Sequence, residues 1–293
     1  MKNLYLVFIF KLSLNNIWGE IQITKIENRS LPKEVSTEAV LLHPSNSQRI
    51  IGGYPVNIEQ YPFVAFFMII LPGLGWNFRG GATIVGEYWG MTAAHCVQQI
   101  PDSYIKDKKA FLCGNTSHWK KGCNRHYIVR TYVHEKHKNS LGNEEYDYDI
   151  ALVRIKNPFN GKFEKPIKWA NSNDEYPDNA AVTVLGWGST RRNAATHSDV
   201  LHAVTIRLVN HNVCKKKYRT GEVTNSMVCA IEKGKDACMY DSGGPLIRNN
   251  ILIGIVSWGP EDCATDHLPG VYTKVSFFSD WLRRKMNNNP RSA

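Results

Sequence analysis

Three side chains of this sequence are of the types that nucleophilic catalysis requires. Ser242 stands in "DACMYDSGGPL", where the glycines that follow it permit a turn that other residues resist. A serine hydroxyl is a weak nucleophile until a base takes its proton and a third group orients that base. His95 is a candidate base because "MTAAHC" surrounds it with small residues, and Asp149 is a candidate acid at the start of "DIALVRI". An aspartate at the edge of such an apolar run needs a buried partner.

Short strands must position these residues. Apolar or alternating runs recur between Gly, Pro, Asn and Asp, among them "FVAFFMIIL", "HYIVRTYV", "AVTVLGWG", "AVTIRLV" and "ILIGIVSWG". Many short strands at this spacing predict an all-β sandwich or barrel. One strong helical pattern lies near the end, where "SFFSDWLRRKM" offers a cap at Ser279.

The first 49 residues differ in composition from the rest of the chain. Lys2 precedes the apolar stretch from Leu4 to Phe10, which is typical of a short secretory signal over residues 1–19. A hydrophobic end on an intracellular protein is the alternative. Residues 20–49 are polar and irregular, and we expect a propeptide there, followed by one domain over residues 50–293. The sequence therefore predicts a secreted, extracellular protein.

Composition excludes several classes of function. The formal net charge is +10, but the basic runs are dispersed and lack interleaved aromatic residues, so nucleic-acid binding is not expected. No apolar run approaches the roughly 20 residues that span a bilayer. The seven cysteines form no Cys-x-x-Cys repeat, which argues against a zinc site. "NRS" at Asn28 and "NTS" at Asn115 are candidate glycosylation sites in a secreted protein.

Seven short motifs occur in an order that identifies a family. "RIIGG", "TAAHC", "DIAL", "GWG", "DSGGPL", "SWG" and "PGVYTKV" resemble the chymotrypsin-like serine proteases, the trypsin family, in order and approximate spacing. The likeness runs from Ile50 to about Met286. The resemblance implies two six-stranded antiparallel β-barrels with the active site between them, and a C-terminal helix. It implies no cofactor and no metal.

The resemblance also assigns catalytic roles. His95 matches the general base, Asp149 the acid that orients it, and Ser242 the nucleophile. The backbone N–H groups of Tyr240 and Ser242 fall where the family binds the oxyanion. Asp147 lacks the "IAL" that follows Asp149, and we interpret it as a surface residue.

Substrate specificity is implied by a second set of positions. Asp236 matches the floor of the family's primary pocket, where a carboxylate pairs with a substrate arginine or lysine. Ser257, Trp258 and Gly259 of "SWG", with Gly270 of "PGVY", match substrate-binding positions along the pocket wall. The expected activity is therefore cleavage of proteins or peptides after Arg or Lys.

The resemblance implies synthesis as a zymogen. Cleavage after Arg49 would free an amino group on Ile50, and in the family that ammonium pairs with an aspartate that here is Asp241. The ion pair orders the specificity pocket and the oxyanion site. The mature enzyme is expected to be a monomer that protein protease inhibitors can bind.

The cysteines depart in part from the family pattern. Cys214–Cys229 and Cys238–Cys263 match two family disulfides, but the expected partner of Cys96 is replaced by Arg79. Cys113–Cys123 can close a local loop and leave Cys96 free. Pairing of Cys96 with one of those two cysteines is the alternative. The segment around them, "LCGNTSHWKKGCNR", contains no Asp or Glu, so a calcium site is not expected there.

Tyr240 is the second departure, because the family has glycine at this place. A Cβ here favours a flipped peptide, since glycine tolerates backbone angles that other residues resist. Its ring would also project toward the leaving-group side of the substrate. These two departures leave an alternative function open: a weak or silent protease homologue that acts as a binding or regulatory protein.

Overall fold

A computed structural model describes residues 51–138, 146–189, 197–260 and 262–289. The predicted signal peptide and propeptide, together with Arg49 and Ile50, lie outside these residues. Within these ranges, four helices and one 3₁₀ turn accompany the strands: α1 (Ala94–Val97), α2 (Asp102–Lys106), α3 (His211–Lys217), α4 (Val275–Asn287) and the turn Ile58–Gln60. The strands are β1 (Tyr54–Pro55), β2 (Val64–Leu71), β3 (Gly75–Gly86), β4 (Trp89–Thr92), β5 (Ala110–Gly114), β6 (Asn124–Val133), β7 (Ala151–Ile155), β8 (Lys168–Trp169), β9 (Ala181–Gly186), β10 (His202–Val209), β11 (Met227–Ile231), β12 (Pro245–Arg248), β13 (Ile251–Trp258) and β14 (Gly270–Lys274).

The first barrel closes in the order β2-β3-β4-β7-β6-β5, with antiparallel neighbours throughout. The apolar run of β2 is buried along its first six residues, which explains why it reads as a continuous hydrophobic stretch. A register shift in the β2–β3 pair places Phe67 opposite Gly80 and Met68 opposite Phe78. Arg79 is therefore the extra residue of a β-bulge, a feature that re-aims side chains.

The second barrel closes in the order β9-β10-β11-β14-β13-β12, and pairing of β12 with β9 completes the ring. Two short strands attach outside it: β1 pairs with β10, and β8 runs parallel to β13. The expected architecture of two six-stranded antiparallel barrels with a C-terminal helix is confirmed.

The two barrels approach closely where β3 meets the loop before β12. The N–H of Gly81 donates to the carbonyl of Ser242 at 2.8 Å, and a Cβ on Gly81 would lie 2.6 Å from the Cα of Gly244. Gly243 has φ +82, and a Cβ there would lie 2.1 Å from Thr92 Oγ1. Only glycine fits such contacts, so this sequence holds the Ser242 loop directly against β3.

The terminal helix α4 begins five residues earlier than predicted. Lys274 occupies its N-cap, and Ser279 is fully buried within the helix, so Ser279 is not the cap. The helical period of the buried side chains already begins at Val275 and continues through Phe278 and Trp281. These residues are buried in the same core as the first barrel.

A polar clamp joins α4 to the end of β6. Trp281 Nε1 donates to Glu135 Oε2 at 2.8 Å, and Lys285 pairs with the other oxygen of Glu135. Tyr132 donates from its hydroxyl to Asn289 Oδ1 at 2.9 Å. Burial opposes ionisation of Glu135, but the bonds from Lys285 and Trp281 lower its pKa to about 2. Within the described ranges, every helix is too short or too polar to cross a bilayer.

Candidate active site

His95 is fixed to Asp149 by two hydrogen bonds. It lies in α1, directly after β4, and the preceding Ala93 and Ala94 are fully buried, so the helix packs tightly against the barrel. The backbone N–H of His95 donates to Asp149 Oδ1 at 2.9 Å, and its ring Nδ1 lies 2.8 Å from Oδ2. This leaves Nε2 as the ring nitrogen directed toward other groups. The structure thus brings together the predicted base and its orienting acid.

Asp149 accepts further bonds from the second barrel. Its side chain is inaccessible to solvent, and Ser257 Oγ donates to Oδ2 at 2.6 Å. Thr273 Oγ1 donates to the Asp149 carbonyl at 2.6 Å. Burial would raise the pKa of Asp149, but the charge and hydrogen bond of His95 and the Ser257 bond lower it to about 2. Burial opposes the imidazolium of His95, yet Asp149 raises the pKa of His95 well above its usual value.

Sequence reasoning placed Ser257 with the substrate-binding residues and did not find its bond to Asp149. Thr273 was not singled out at all. Both residues stand in strands more than a hundred positions from Asp149, so local spacing carried no signal of this network.

Ser242 lies in the loop between β11 and β12, with its carbonyl held by β3 as described above. Among the described residues, His95 Nε2 has one hydrogen-bond partner, the Cys96 sulfur, at 3.6 Å. Within those residues no hydrogen bond joins Nε2 directly to Ser242 Oγ. Catalytic hydrogen bonds are often long before substrate binds and tighten in the complex, so the arrangement remains compatible with a nucleophile and its base.

Tyr240 keeps a backbone conformation that glycine adopts readily. Its φ is +74, in the left-handed region, which costs a side-chain-bearing residue about 1–3 kcal/mol. Its ring meets the ring of His197 edge-on, with centroids 5.1 Å apart. His197 in turn stacks on Phe78 of β3, with centroids 5.2 Å apart. These contacts form an aromatic wall beside the Ser242 loop.

Asp236 is buried near the glycines expected to line the pocket. It is 6% exposed, and its Oδ2 accepts the N–H of Ala264 at 2.9 Å. A Cβ on Gly270 would lie 3.0 Å from Asp236 Oδ1, and one on Gly259 would lie 3.6 Å from the Cα of Gly270. Burial, aided by the charge of Asp241, raises the pKa of Asp236 to about 7 against the bonds from backbone N–H groups.

Aromatic rings surround Trp258 at the end of β13. Tyr146 stacks on it with centroids 6.2 Å apart, and Tyr218 meets it edge-on at 4.9 Å. Tyr146 also meets the His95 ring edge-on at 5.8 Å. Tyr146 therefore lies between the imidazole and Trp258, a position that sequence reasoning missed because no motif marks it.

Asp241 is a second buried carboxylate, and it is fully inaccessible to solvent. Its oxygens accept the backbone N–H groups of Gly188 at 2.8 Å and Cys238 at 3.0 Å. Burial outweighs these bonds and raises its pKa to about 7. The beginning of the domain lies nearby, since the carbonyl of Ile51 accepts the N–H of Asp236, which belongs to the same loop, at 3.2 Å.

The structure contains the disulfides Cys113–Cys123, Cys214–Cys229 and Cys238–Cys263. These include both pairs that the resemblance implied. Cys96 is a buried free thiol, which decides against the alternative in which it pairs with Cys113 or Cys123.

Asp147 was expected to be a surface residue, but its side chain is engaged. Its Oδ1 accepts hydrogen bonds from Thr224 and Ser226 and so ties the segment before β7 to the second barrel. Asn115 is partly buried with φ +64, and its side-chain oxygen accepts the N–H of Phe163, so a glycan there would attach to an amide already held by the fold. Asn28 lies outside the described residues.

No group of three or more His, Cys, Asp or Glu with metal-binding geometry occurs in the part of the chain that the structure describes.

Comparisons with known proteins agree on one family. The sequence model described as Trypsin matches residues 50–282. The chain is 35% identical over 240 residues to a trypsin of Phaedon cochleariae, covering 80% of this chain and 88% of that one. It is 32% identical to mouse kallikrein-11, covering 90% and 92% of the two chains, and 32% identical to the venom serine protease ussurin of Gloydius ussuriensis, covering 82% and 97%. Among solved structures, it is similar to neuropsin, a serine protease expressed in the limbic system of mouse brain, with a TM-score of 0.70, 28% identity, and coverage of 80% and 98%.

Proposed function

Because this chain belongs to the trypsin family of serine proteases, we propose that it is a secreted endopeptidase that hydrolyses peptide bonds after Arg or Lys. The observation that carries the proposal is the buried Asp149 bound to His95 beside the Ser242 loop. A buried carboxylate that raises the basicity of an imidazole beside a serine is the arrangement that nucleophilic catalysis requires.

The proposed reaction proceeds through an acyl-enzyme. Ser242 Oγ attacks the carbonyl carbon of the substrate while His95 Nε2 takes its proton, and the resulting imidazolium is stabilised by Asp149. The backbone N–H groups of Tyr240 and Ser242 would stabilise the oxyanion. His95 then gives its proton to the leaving amine. Water attacks the acyl-enzyme with the same residue acting as base, which releases the acid product and restores the Ser242 hydroxyl.

The proposed preference for Arg or Lys rests on Asp236. Burial disfavours the charged form of Asp236 and raises its pKa to about 7. A substrate guanidinium or ammonium would supply the missing counter-charge, lower that pKa and gain a charge-assisted hydrogen bond. The absence of side chains at Gly259 and Gly270 would leave room for a long substrate side chain, and Ser257 and Trp258 would border the same pocket.

Zymogen activation is proposed on the same physical ground. Asp241 is a buried carboxylate without a cation among the residues that the structure describes, and only two backbone N–H groups satisfy it. Cleavage after Arg49 would give Ile50 an ammonium that can pair with it. We further propose that residues 1–19 are a signal peptide and that the mature enzyme is a monomer. It would need no cofactor, and protein protease inhibitors would bind it.

The test is amide hydrolysis by the chain cut after Arg49. Matched chromogenic peptides ending in arginine or in phenylalanine are compared, with Ser242→Ala as the control. We expect turnover of the arginine peptide that the control lacks. Preference for phenylalanine would overturn the role of Asp236. Turnover of neither peptide, by folded protein with a free Ile50 terminus, would favour the silent homologue instead.

A further inference from the structure

Arg79 is a partly buried cation with no protein partner in the described ranges. No hydrogen bond, ion pair or cation–π contact engages its guanidinium there. Other arginines of the same barrel are engaged: Arg125 lies 3.6 Å above the Trp76 ring, and Arg154 lies 4.9 Å from the rings of Tyr88 and Trp89. A guanidinium that no protein group engages keeps its hydrogen-bond donors available for an anion from outside the chain.

The position of Arg79 is beside the proposed nucleophile. It is followed by Gly80, where a Cβ would lie 2.5 Å from the Ser242 carbonyl oxygen and 3.3 Å from the Cys96 sulfur. It is the bulge residue of β3, so no residue of β2 lies opposite it. A bulge next to an active site commonly serves to re-aim a side chain.

Arg79 also lies on a definite side of the site. The Asp236 pocket, which would hold the residue before the cut bond, is built from the second barrel with Ala264 and Gly270. β3 belongs to the first barrel and contacts the Ser242 carbonyl through Gly80 and Gly81. We therefore infer that the residue after the cut bond lies beside β3. Phe78, the neighbour of Arg79, begins the aromatic wall that ends at Tyr240.

We propose that Arg79 forms a subsite for an acidic side chain in the residue that follows the cut bond. The inference rests on the proposed peptidase function and extends it to the leaving-group side. A planar guanidinium matches a carboxylate with two parallel hydrogen bonds, and a partly buried one gains more from it than a fully solvated one. The favoured substrates then carry a basic residue before the bond and glutamate or aspartate after it.

One consequence concerns activation. The Arg49–Ile50 bond presents isoleucine where the Arg79 subsite favours an acid. The mature enzyme is thus a slow activator of its own zymogen, and a second protease is required for rapid activation.

The test compares internally quenched peptides that differ only after the cut bond, where they carry glutamate or glutamine. We expect kcat/KM to be about tenfold higher for the glutamate peptide, as for one charge-assisted hydrogen bond. Arg79→Gln should abolish this preference, and Arg79→Lys should keep part of it. Arg284→Gln, which removes the same charge from an exposed position on α4, should leave it unchanged. Equal rates on both peptides, or a preference that survives in Arg79→Gln, would overturn the proposal.

Two controls separate this proposal from the peptidase function itself. A chromogenic arginine amide has no residue after the bond, so its hydrolysis should be the same in the parent and Arg79→Gln. Peptide affinity of Ser242→Ala, measured by fluorescence anisotropy, needs no turnover. Tighter binding of the glutamate peptide there would support the subsite even in a chain that does not cleave, and equal affinity would count against it.

Discussion

The two sides of the candidate site are held in place by different means. The Ser242 side, in the second barrel, carries two disulfides, Cys214–Cys229 and Cys238–Cys263. The His95 side, in the first barrel, has none at the histidine, because Cys96 is a free thiol. Its support comes instead from the hydrogen bonds that Ser257 and Thr273 extend from the second barrel to Asp149. One side is braced covalently within itself, and the other depends on its neighbour.

This difference leaves the position of His95 dependent on hydrogen bonds from the second barrel to Asp149, without a crosslink at Cys96. The covalently braced side also contains the less favourable groups, since Asp236 and Asp241 are buried with pKa values raised to about 7. Cys238 of the Cys238–Cys263 disulfide lies between these two carboxylates in the sequence.

The largest expected effect comes from breaking the support of the His95 side. Asp149→Asn removes the charge that stabilises the imidazolium and changes the tautomer of His95, so kcat should fall about 10⁴-fold, as for the triads of this family. Turnover of the arginine amide measures it. Asp147→Asn is the matched control, because its side chain bonds Thr224 and Ser226 and should affect thermal stability more than kcat. An equal loss of kcat in both variants would contradict the assignment.

The comparison can be sharpened by giving the His95 side the crosslink it lacks. Arg79→Cys offers Cys96 a partner 17 positions away, and closing a loop of that length should raise the free energy of unfolding by about 3 kcal/mol. Urea unfolding without reductant measures the gain, with the three native disulfides intact. The same substitution in a Cys96→Ala background, which cannot form the new bridge, should show no gain. Failure to form the bridge would mean that the bulge directs position 79 away from Cys96.

The Ser242 side should respond to pH before activation. Folded-state pKa values of about 7 for Asp236 and Asp241 exceed the ordinary value of 3.8, so the folded uncut chain binds protons more tightly than the unfolded one. The stability that these two groups contribute is therefore fully present below pH 3.8 and is lost as pH rises through 7, by about 4 kcal/mol for each group. Cutting after Arg49 supplies an ammonium to Asp241 and should reduce this loss. Thermal unfolding of both forms at pH 5 and pH 8 tests it, and identical pH dependence would contradict the proposed ion pair.

The smallest effect is expected at Tyr240. Tyr240→Gly relieves a left-handed backbone angle at the cost of a more flexible unfolded chain, so the net stabilisation should be about 1 kcal/mol. The same variant opens the wall toward His197 and should bind a basic Kunitz-type inhibitor more tightly than the parent. Nanomolar inhibition of the parent itself would refute the idea that this ring restricts access.

The barrels and the candidate triad could be predicted because each rests on a local pattern. Alternating apolar runs set the strands, and "TAAHC", "DIAL" and "DSGGPL" each mark one member of the site. The network around Asp149 could not be predicted, because Ser257 and Thr273 form their hydrogen bonds to Asp149 only once the second barrel has closed. The start of α4 was placed wrongly at Ser279, since a polar residue that resembled a cap is buried by packing against the barrel.

The pairing state of Cys96 and the backbone conformation of Tyr240 could likewise be read only from the folded chain. Sequence left two pairings open for the cysteines, and the folded chain pairs Cys113 with Cys123 and leaves Cys96 free. Tyr240 has a positive φ, a backbone angle that its residue type does not predict.

The clamp between α4 and Glu135 has a consequence for biosynthesis. Because Trp281, Lys285 and Asn289 stand at the very end of the described chain and contact Glu135 and Tyr132 of the first barrel, that barrel lacks these contacts while it emerges from the ribosome. Translation must therefore finish before the first barrel can form its contacts with α4. Truncation by a premature stop codon near residue 280 would therefore damage the half of the protein that was synthesised first.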